Sequence, residues 1–277
     1  MTLKIRKASG KVEDINEAKL MNSLVRSGAS SEQASEITAK ILSEIQQVTS
    51  TKKIYRLAHK YLKQFNHASE LRYSLKKAIM KLGPSGYPFE KFIGEIFRQS
   101  GYDVQTGITL NGKCVTHEID VIASKNQETA LIECKYRNST GSSPDVKVAL
   151  YYQSRFQDLL AVLGPANPGV IYSGWLATNT RFSLDAIKYS ECTGINLISW
   201  GYPESMSLEK MIEDRKLYPV TVLSNLTSAQ SRKLIENDII LMKDLAGLSE
   251  KEISKMLSIT ARKAAVIRGQ AGDLCFC

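Results

Sequence analysis

Asp120, Glu133 and Lys135 fall within one stretch, THEIDVIASKNQETALIECK, at residues 116–135. Two apolar segments, HEIDVIA and TALIECK, flank a polar SKNQ step, which is the pattern of a β-hairpin. With the tip at Asn126 and Gln127, residues whose numbers sum to 253 face one another. Asp120 is then expected opposite Glu133, with Cβ atoms about 5 Å apart. The two-residue period of a strand carries Lys135 to the same face and turns Ile132 and Cys134 to the other. Carboxylates facing each other across a strand pair repel, and each raises the other's pKa unless a cation lies between them. A divalent metal resolves that conflict. Carboxylate oxygens completed by waters and substrate phosphates suit Mg²⁺ or Mn²⁺ better than zinc. Taken alone, the spacing also fits an exposed hairpin with solvated charges.

The elements that must hold these residues follow from periodicity. GPSGYP breaks the chain, and FEKFIGEIFRQSGY after it reads as an amphipathic helix with Phe89, Phe92, Ile93, Ile96 and Phe97 on its core stripe and Glu90 at the edge of that stripe. After the hairpin come a helix from about Asp145 to Leu163 carrying Tyr152, Gln153 and Arg155, a buried strand GWLAT, a helix capped by Ser183, and a strand INLISW. Helices interleaved with a mixed sheet give an α/β layered domain. His117 is expected on the opposite face of its strand, structural or at the surface, unless a local bulge turns it toward the metal. Thr178, Asn179 and Arg181 end a strand near the presumed active edge, where a turn needs such residues in any case.

At 277 residues with 43% apolar content, the chain is long enough for two or three domains. The start, MTLKIRKASG, lacks an apolar signal core, and no run approaches a membrane span; the expectation is a cytoplasmic protein with no membrane partner. Five cysteines, 114, 134, 192, 275 and 277, include no CxxC pair and read as reduced thiols, with Cys275 and Cys277 dangling. All the excess charge is N-terminal: residues 1–85 hold 16 Lys and Arg against 7 Asp and Glu, while residues 86–277 hold 21 of each. Such concentration points to a polyanion, nucleotide or nucleic acid. Between Lys52 and Lys81 stand nine basic residues and one acid, Glu70, read either as a DNA backbone contact or as a solvated face.

The first 85 residues read as two short strands about a Ser9 and Gly10 turn, a helix from Glu17 to Gly28, and three more helices capped near Ser30, at Thr49 to Thr51, and over SELRYSLKKAIMKLG. This order resembles the ATP-cone domain, a regulatory nucleotide-binding module. The resemblance implies that Lys7, Glu13, Asn16, Lys19 and Thr51 contact an adenine nucleotide, ATP or dATP. No GxxxxGK[ST] occurs, so sensing rather than hydrolysis is expected.

FEKFIGEIFRQSGY, HEIDVIA, LIECKY, a helix with Gln153, and WLATNTRFSLDAIKYSECTGINLISW together resemble the Mrr-type restriction endonucleases of the PD-(D/E)XK nuclease superfamily. That resemblance implies catalytic roles for Glu90, Asp120, Glu133 and Lys135, with Gln153 as an auxiliary polar residue. It also implies Mg²⁺ or Mn²⁺ bound by Asp120, Glu133 and the Cys134 carbonyl, with Glu90 direct or through water. Beyond a linker containing Pro203 and Pro219, helices are expected to start at Thr227 or Ser228, near Leu241, at Ser249 and at Thr260. The pair around LAGLSEKEISKML resembles a helix-hairpin-helix module, which grips DNA phosphates through backbone amides.

The expectation is thus a multidomain α/β chain: a β-hairpin with four helices (1–85), a PD-(D/E)XK-like domain with a mixed sheet (86–203), and an all-α domain (220–277). Its function would be metal-dependent DNA cleavage gated by an adenine nucleotide, in a monomer or a homo-oligomer. A structure-selective repair nuclease and a nucleotide-responsive DNA-binding protein without cleavage are the competing readings.

Overall fold

The computed structural model describes residues 3–7, 10–65, 67–139 and 141–276; Ser9 of the expected first turn and Cys277 lie outside them. Strands β1 (Lys4–Arg6) and β2 (Val12–Asp14) pair antiparallel. Helix α1 (Glu17–Arg26) starts at Asn16, whose side chain accepts the Lys19 amide, and α2 (Ser31–Glu44) starts at a Ser30–Gln33 capping box. The strand β3 (Val48–Ser50) then runs parallel to β1, giving the order β2-β1-β3. Three residues, of which only Thr49 is buried, give too short an alternation to be read as a strand. Helix α3 (Thr51–Phe65) follows. The expected fourth helix is two, α4 (His67–Tyr73) and α5 (Leu75–Ile79), separated at Ser74. The Ser74 hydroxyl takes the Tyr55 phenol at 3.0 Å, a polar contact that a continuous apolar helix face would not supply. The expected hairpin with four helices is therefore a three-stranded sheet with five.

The second sheet has the order β4-β5-β6-β7-β8. Its strands β4 (Asp103–Asn111), β5 (Thr116–Lys125) and β6 (Glu128–Lys135) are antiparallel, and β7 (Ile171–Thr178) and β8 (Asn196–Ile198) continue parallel to β6. Helix α6 (Tyr87–Arg98) precedes the sheet, α7 (Val146–Ala166) joins β6 to β7, and α8 (Leu184–Thr193) joins β7 to β8. The mixed sheet is as expected; β4 is an addition. Its burial alternates without a break through Gly107, but Val104 is its one buried residue, and it lies on the sheet edge, where half its residues face water.

On one face, α6 seats Phe89, Phe92, Ile93, Ile96 and Phe97 against Val121, Ile132 and Cys134; on the other, Tyr152, Phe156 and Leu159 of α7 cover Leu131 and Leu176. Burying each such side chain contributes about 2 kcal/mol, which makes β6, covered on both faces, a rigid platform.

Helices α9 (Leu208–Asp214), α10 (Ser228–Glu236), α11 (Met242–Gly247), α12 (Glu250–Leu257) and α13 (Ala261–Phe276) complete the chain. The segment expected as a linker is core. Leu208, Met211, Ile212, Leu217 and Tyr218 are buried, in one cluster with α6 and with Leu234, Leu245 and Ile267 of the C-terminal helices. Cys275 packs against that cluster as well, rather than dangling. The N-terminal core, built on Leu24, Ile37, Ile41 and Leu62, is a separate cluster, whereas Leu75, Ile79 and Leu82 belong to the larger one. The cores thus part near Ser74, ahead of the breaker at residue 85. No helix among the described residues is long and apolar enough to cross a membrane.

Candidate active site

The β5–β6 ladder keeps the expected register from Lys125↔Glu128 to Val121↔Ile132. One rung further it gives way to a side chain: Asp120 Oδ2 accepts the Cys134 N–H at 2.6 Å. On its other side β5 is also released there, because the β4–β5 pairing runs from Thr106↔Val121 to Ile108↔Ile119 and passes over Gly107 and Asp120. Gly107 can hold φ +65° without steric cost, and the kink opposite it turns Asp120 out of the ladder.

Glu133, with its side chain 7% exposed, lies between two cations. Arg155 Nη1 on α7 donates to Glu133 Oε2 at 2.6 Å, and Lys135 Nζ donates to Glu133 Oε1. Arg155 also donates to the Glu118 carbonyl, so one guanidinium ties α7 to both strands of the hairpin. A planar fork serves two acceptors this way where a lysine would not. From sequence alone an arginine on a half-exposed helix reads as solvated, and only the fold aims Arg155 at Glu133.

Asp120 has its pKa raised to about 6, first by burial and then by Glu133, against the opposing pull of the Cys134 amide, Lys135 and Arg155. Glu90, in the first turn of α6, is raised to about 7, again by burial first and then by Asp120, Glu118 and Glu133. Its carboxylate folds back so far that a Cβ added at Gly86 would meet Oε1 at 2.9 Å. The four residues Glu90, Asp120, Glu133 and Lys135 are therefore electrostatically one site. Gln153 is half-buried two residues before Arg155, on a different side of α7, and its Oε1 is buried with no hydrogen-bond partner. An orphaned carbonyl of that kind costs about 1–3 kcal/mol and marks a position where a water or ligand group is wanted.

His117 is structural, but not on the face expected for it: the break in the ladder at Asp120 leaves it on the α7 side, with Ile119, toward the helix that also holds Glu133. Asp158 on α7 accepts from the ring at 2.8 Å and from the Cys114 and Val115 amides. Those contacts, His117 first, hold its carboxyl down to about 2 and pin the β4–β5 turn to α7. Asn179 is a buried latch: its Oδ1 accepts the Arg137 N–H and its Nδ2 donates to the Arg137 carbonyl, both at 2.8 Å. Thr178 donates to the Lys135 carbonyl at 2.7 Å. These residues fix the end of β6 rather than face a phosphate; Arg181 is exposed.

The donor set suits a hard cation. Asp120 sits on the Cys134 amide and Glu133 precedes that residue, so two carboxylates flank the Cys134 backbone, and Asp120 and Glu90 are raised first by burial and then by the neighbouring carboxylates. Among the described residues no three His, Cys, Asp or Glu side chains stand together as a metal cluster. The residues therefore fit an ion that keeps several waters, as Mg²⁺ does, rather than a closed protein cage.

Lys7, Glu13, Asn16, Lys19 and Thr51, expected to contact a nucleotide, all line one cavity of 280 Å³ with Tyr55. Lys7 pairs with Glu13 at 2.7 Å, while the Asn16 side chain is occupied in capping α1. At the C-terminal end, the first turn of α12 is closed by a Ser249–Glu252 capping box with Glu250 beside it, which puts carboxylates over the amides that a phosphate would need.

A mixed sheet with Asp, Glu and Lys converging where β5 kinks against β6 defines a restriction-endonuclease type of domain, and residues 83–201 match the family described as "Restriction endonuclease". Residues 218–275 match the family described as "AF1548-like, C-terminal". An uncharacterized protein of Archaeoglobus fulgidus is 31% identical over 182 residues, covering 65% of this chain and 97% of that protein. The chain belongs to this AF1548-like family. The crystal structure of AF1548, a protein of unknown function, is similar at a TM-score of 0.57 and 28% identity over 69% of this chain and 98% of that one. The MspJI restriction endonuclease in complex with a 27-mer oligonucleotide aligns at a TM-score of only 0.30 and 14% identity, over 74% of this chain and 40% of that one. The two matched regions leave residues 1–82 outside them.

Proposed function

We propose that the chain is a Mg²⁺- or Mn²⁺-dependent endodeoxyribonuclease of restriction type, leaving 5′-phosphate and 3′-hydroxyl ends. The observation that carries this reading is the Lys135 ammonium held on Glu133 beside the kinked Asp120, within a domain of restriction-endonuclease type. Asp120, Glu133 and the Cys134 carbonyl would hold the ion, and Glu90 would reach it directly or through water. When bound, the ion polarises the phosphodiester and steadies the leaving oxygen. Lys135, with its side chain 37% exposed, orients the attacking water and offsets charge growing on the phosphoryl oxygens. Arg155 keeps Glu133 in one orientation, and the Gln153 carbonyl oxygen, buried without a partner, suits an ordered water.

The N-terminal cavity is read as a site for ATP or dATP, with Lys7 and Lys19 for phosphates, Thr51 at the start of α3, and Glu13 and Asn16 for base or ribose. The test incubates supercoiled and linear DNA, modified and unmodified, with Mg²⁺ or Mn²⁺, with and without ATP. Cutting by the wild type and none by Glu133→Gln, with DNA still retained in a gel by both, is the expected result. Undiminished cutting by Glu133→Gln overturns the assignment.

A further inference from the structure

A cleft of 470 Å³ lies between α3, α5 and the turn at Val220–Val222, and Lys52, Lys53, Arg56, Lys77 and Lys81 line it. Among the described residues no Asp or Glu lines this cleft, and none forms an ion pair with any of those five cations. Some basic residues elsewhere do find acids, as Lys7 finds Glu13 and Lys91 finds Asp238; what sets the cleft apart is five cations on one wall without a carboxylate among its lining residues. Lys81 is held below the usual lysine range first by burial and then by Lys77 beside it. The cleft is built rather than incidental: α5 is fixed to its far wall by Thr221, which donates to the Ala78 carbonyl at 2.8 Å.

The cleft also leads toward the cutting centre. Lys81 lines both it and a neighbouring cavity of 730 Å³ bounded by Gly83, Pro84 and Arg232. The Gly83 amide donates to the Tyr136 phenol at 2.8 Å, and Tyr136 follows Lys135, so Lys81 and Lys135 are about 20 Å apart or less along the chain and this bond. That is shorter than one turn of duplex, about 34 Å.

We propose that this basic cleft is a second contact for the DNA phosphate backbone, holding the duplex on the N-terminal side of the Lys135 centre. It rests on the reading of the chain as a DNA-acting enzyme and adds where, away from the cutting residues, the substrate is held. Its contacts would be to phosphates and sequence-independent. Ser50 and Ser224 at the cleft wall offer hydroxyls to the same oxygens. Free nucleotide triphosphate is the other source of such phosphates, and the test separates the two.

The experiment measures binding of a fluorescein-labelled duplex by anisotropy in EDTA, where nothing is cut, from 50 to 300 mM NaCl. The samples are the wild type, Lys77→Gln/Lys81→Gln, and a control, Lys188→Gln/Lys210→Gln, that removes the same charge from exposed lysines elsewhere. About two fewer released counterions should lower the log–log salt slope of the cleft variant by nearly 2 and weaken binding about 10- to 100-fold at 100 mM salt, with the control close to wild type. Equal slopes in all three proteins, an equal loss in the control, or no DNA binding by the wild type overturns the proposal. So does a cleft variant that loses ATP binding while its DNA slope stays unchanged. Cutting of the same duplex in Mg²⁺ is scored separately: a protein that fails to cut yet shows the slope difference loses the nuclease reading and keeps the cleft.

Discussion

Glu133 is the residue on which the candidate site turns, because its charge is already spoken for. Arg155 and Lys135 share it at a position only 7% exposed, and removing one partner of such a pair strands the other in a poor solvent. Full burial would make that cost about 3–5 kcal/mol. Arg155 is itself 30% exposed and Lys135 remains, so Arg155→Met should cost less, about 2 kcal/mol, read from urea unfolding. The acids nearby give the site a pH signature. Asp120 and Glu90 titrate near 6 and 7 in the folded chain but near 4 once unfolded. Between those limits the folded state holds protons that the unfolded state has released, so without metal stability falls as pH rises from about 4.5 to 7. After discounting half-exposed Glu90 for screening, the fall is on the order of 2 kcal/mol. Mg²⁺ competes with those protons, so its stabilisation should grow from pH 6 to 8. Urea midpoints at four pH values, with EDTA and with MgCl₂, check both slopes; a flat profile in EDTA would show that the carboxyls are not crowded as described. Asp120, Glu133 and Lys135 were legible in the sequence because hairpin register is simple arithmetic. Arg155 was not, since its partner lies 22 positions away in sequence and only packing brings the two together.

At the scale of elements, what holds the site is the end of β6. Its last residues are gripped by the neighbouring β7 terminus: Thr178 on the Lys135 carbonyl and Asn179 on both backbone groups of Arg137. Asn179 is fully buried, so Asn179→Ala leaves two backbone groups without partners, at about 1–3 kcal/mol each before water re-enters. A loss of about 2–3 kcal/mol in urea unfolding is expected, and cutting should fall more than the remaining folded fraction accounts for, because Lys135 loses its fixed backbone. Activity that only tracks the folded fraction would make the latch purely structural. Elements differ in the same way in how far their residues announce them. Strong stripes such as that of α6 were readable. β4 was not, because Thr106 stands between Val104 and Ile108 on its inward side and Val104 is its one buried residue, nor β3, because three residues carry no period. The α4–α5 break was missed since Ser74 is explained only by Tyr55, 19 residues away.

Across the whole molecule, two cores meet near Ser74, and Tyr55 stands at that junction. It lines both the 280 Å³ cavity read as the nucleotide site and the basic cleft. Its phenol donates to Ser74, its ring stacks on Tyr73 at 5.4 Å between centroids, and the Lys77 ammonium sits 5.6 Å over it. A ligand that moves Tyr55 therefore bears on the step from α4 to α5, and α5 leads through Leu82 and Gly83 to the Tyr136 phenol beside Lys135. Coupling of this kind is typically about 1–3 kcal/mol, or 5- to 150-fold in affinity. Saturating ATP should shift the duplex Kd by at least about 5-fold, and duplex should shift the ATP Kd by the same factor, since linkage is reciprocal. Tyr55→Phe removes the bond to Ser74 while keeping the ring, so it should shrink that shared factor and leave each ligand's own affinity near wild type. Titrations of each ligand in the presence and absence of the other, by calorimetry in EDTA, supply all four constants. Unequal factors would mean that a third state is being populated. Equal factors that Tyr55→Phe does not change would place the coupling in the packing between the two cores instead of at this tyrosine.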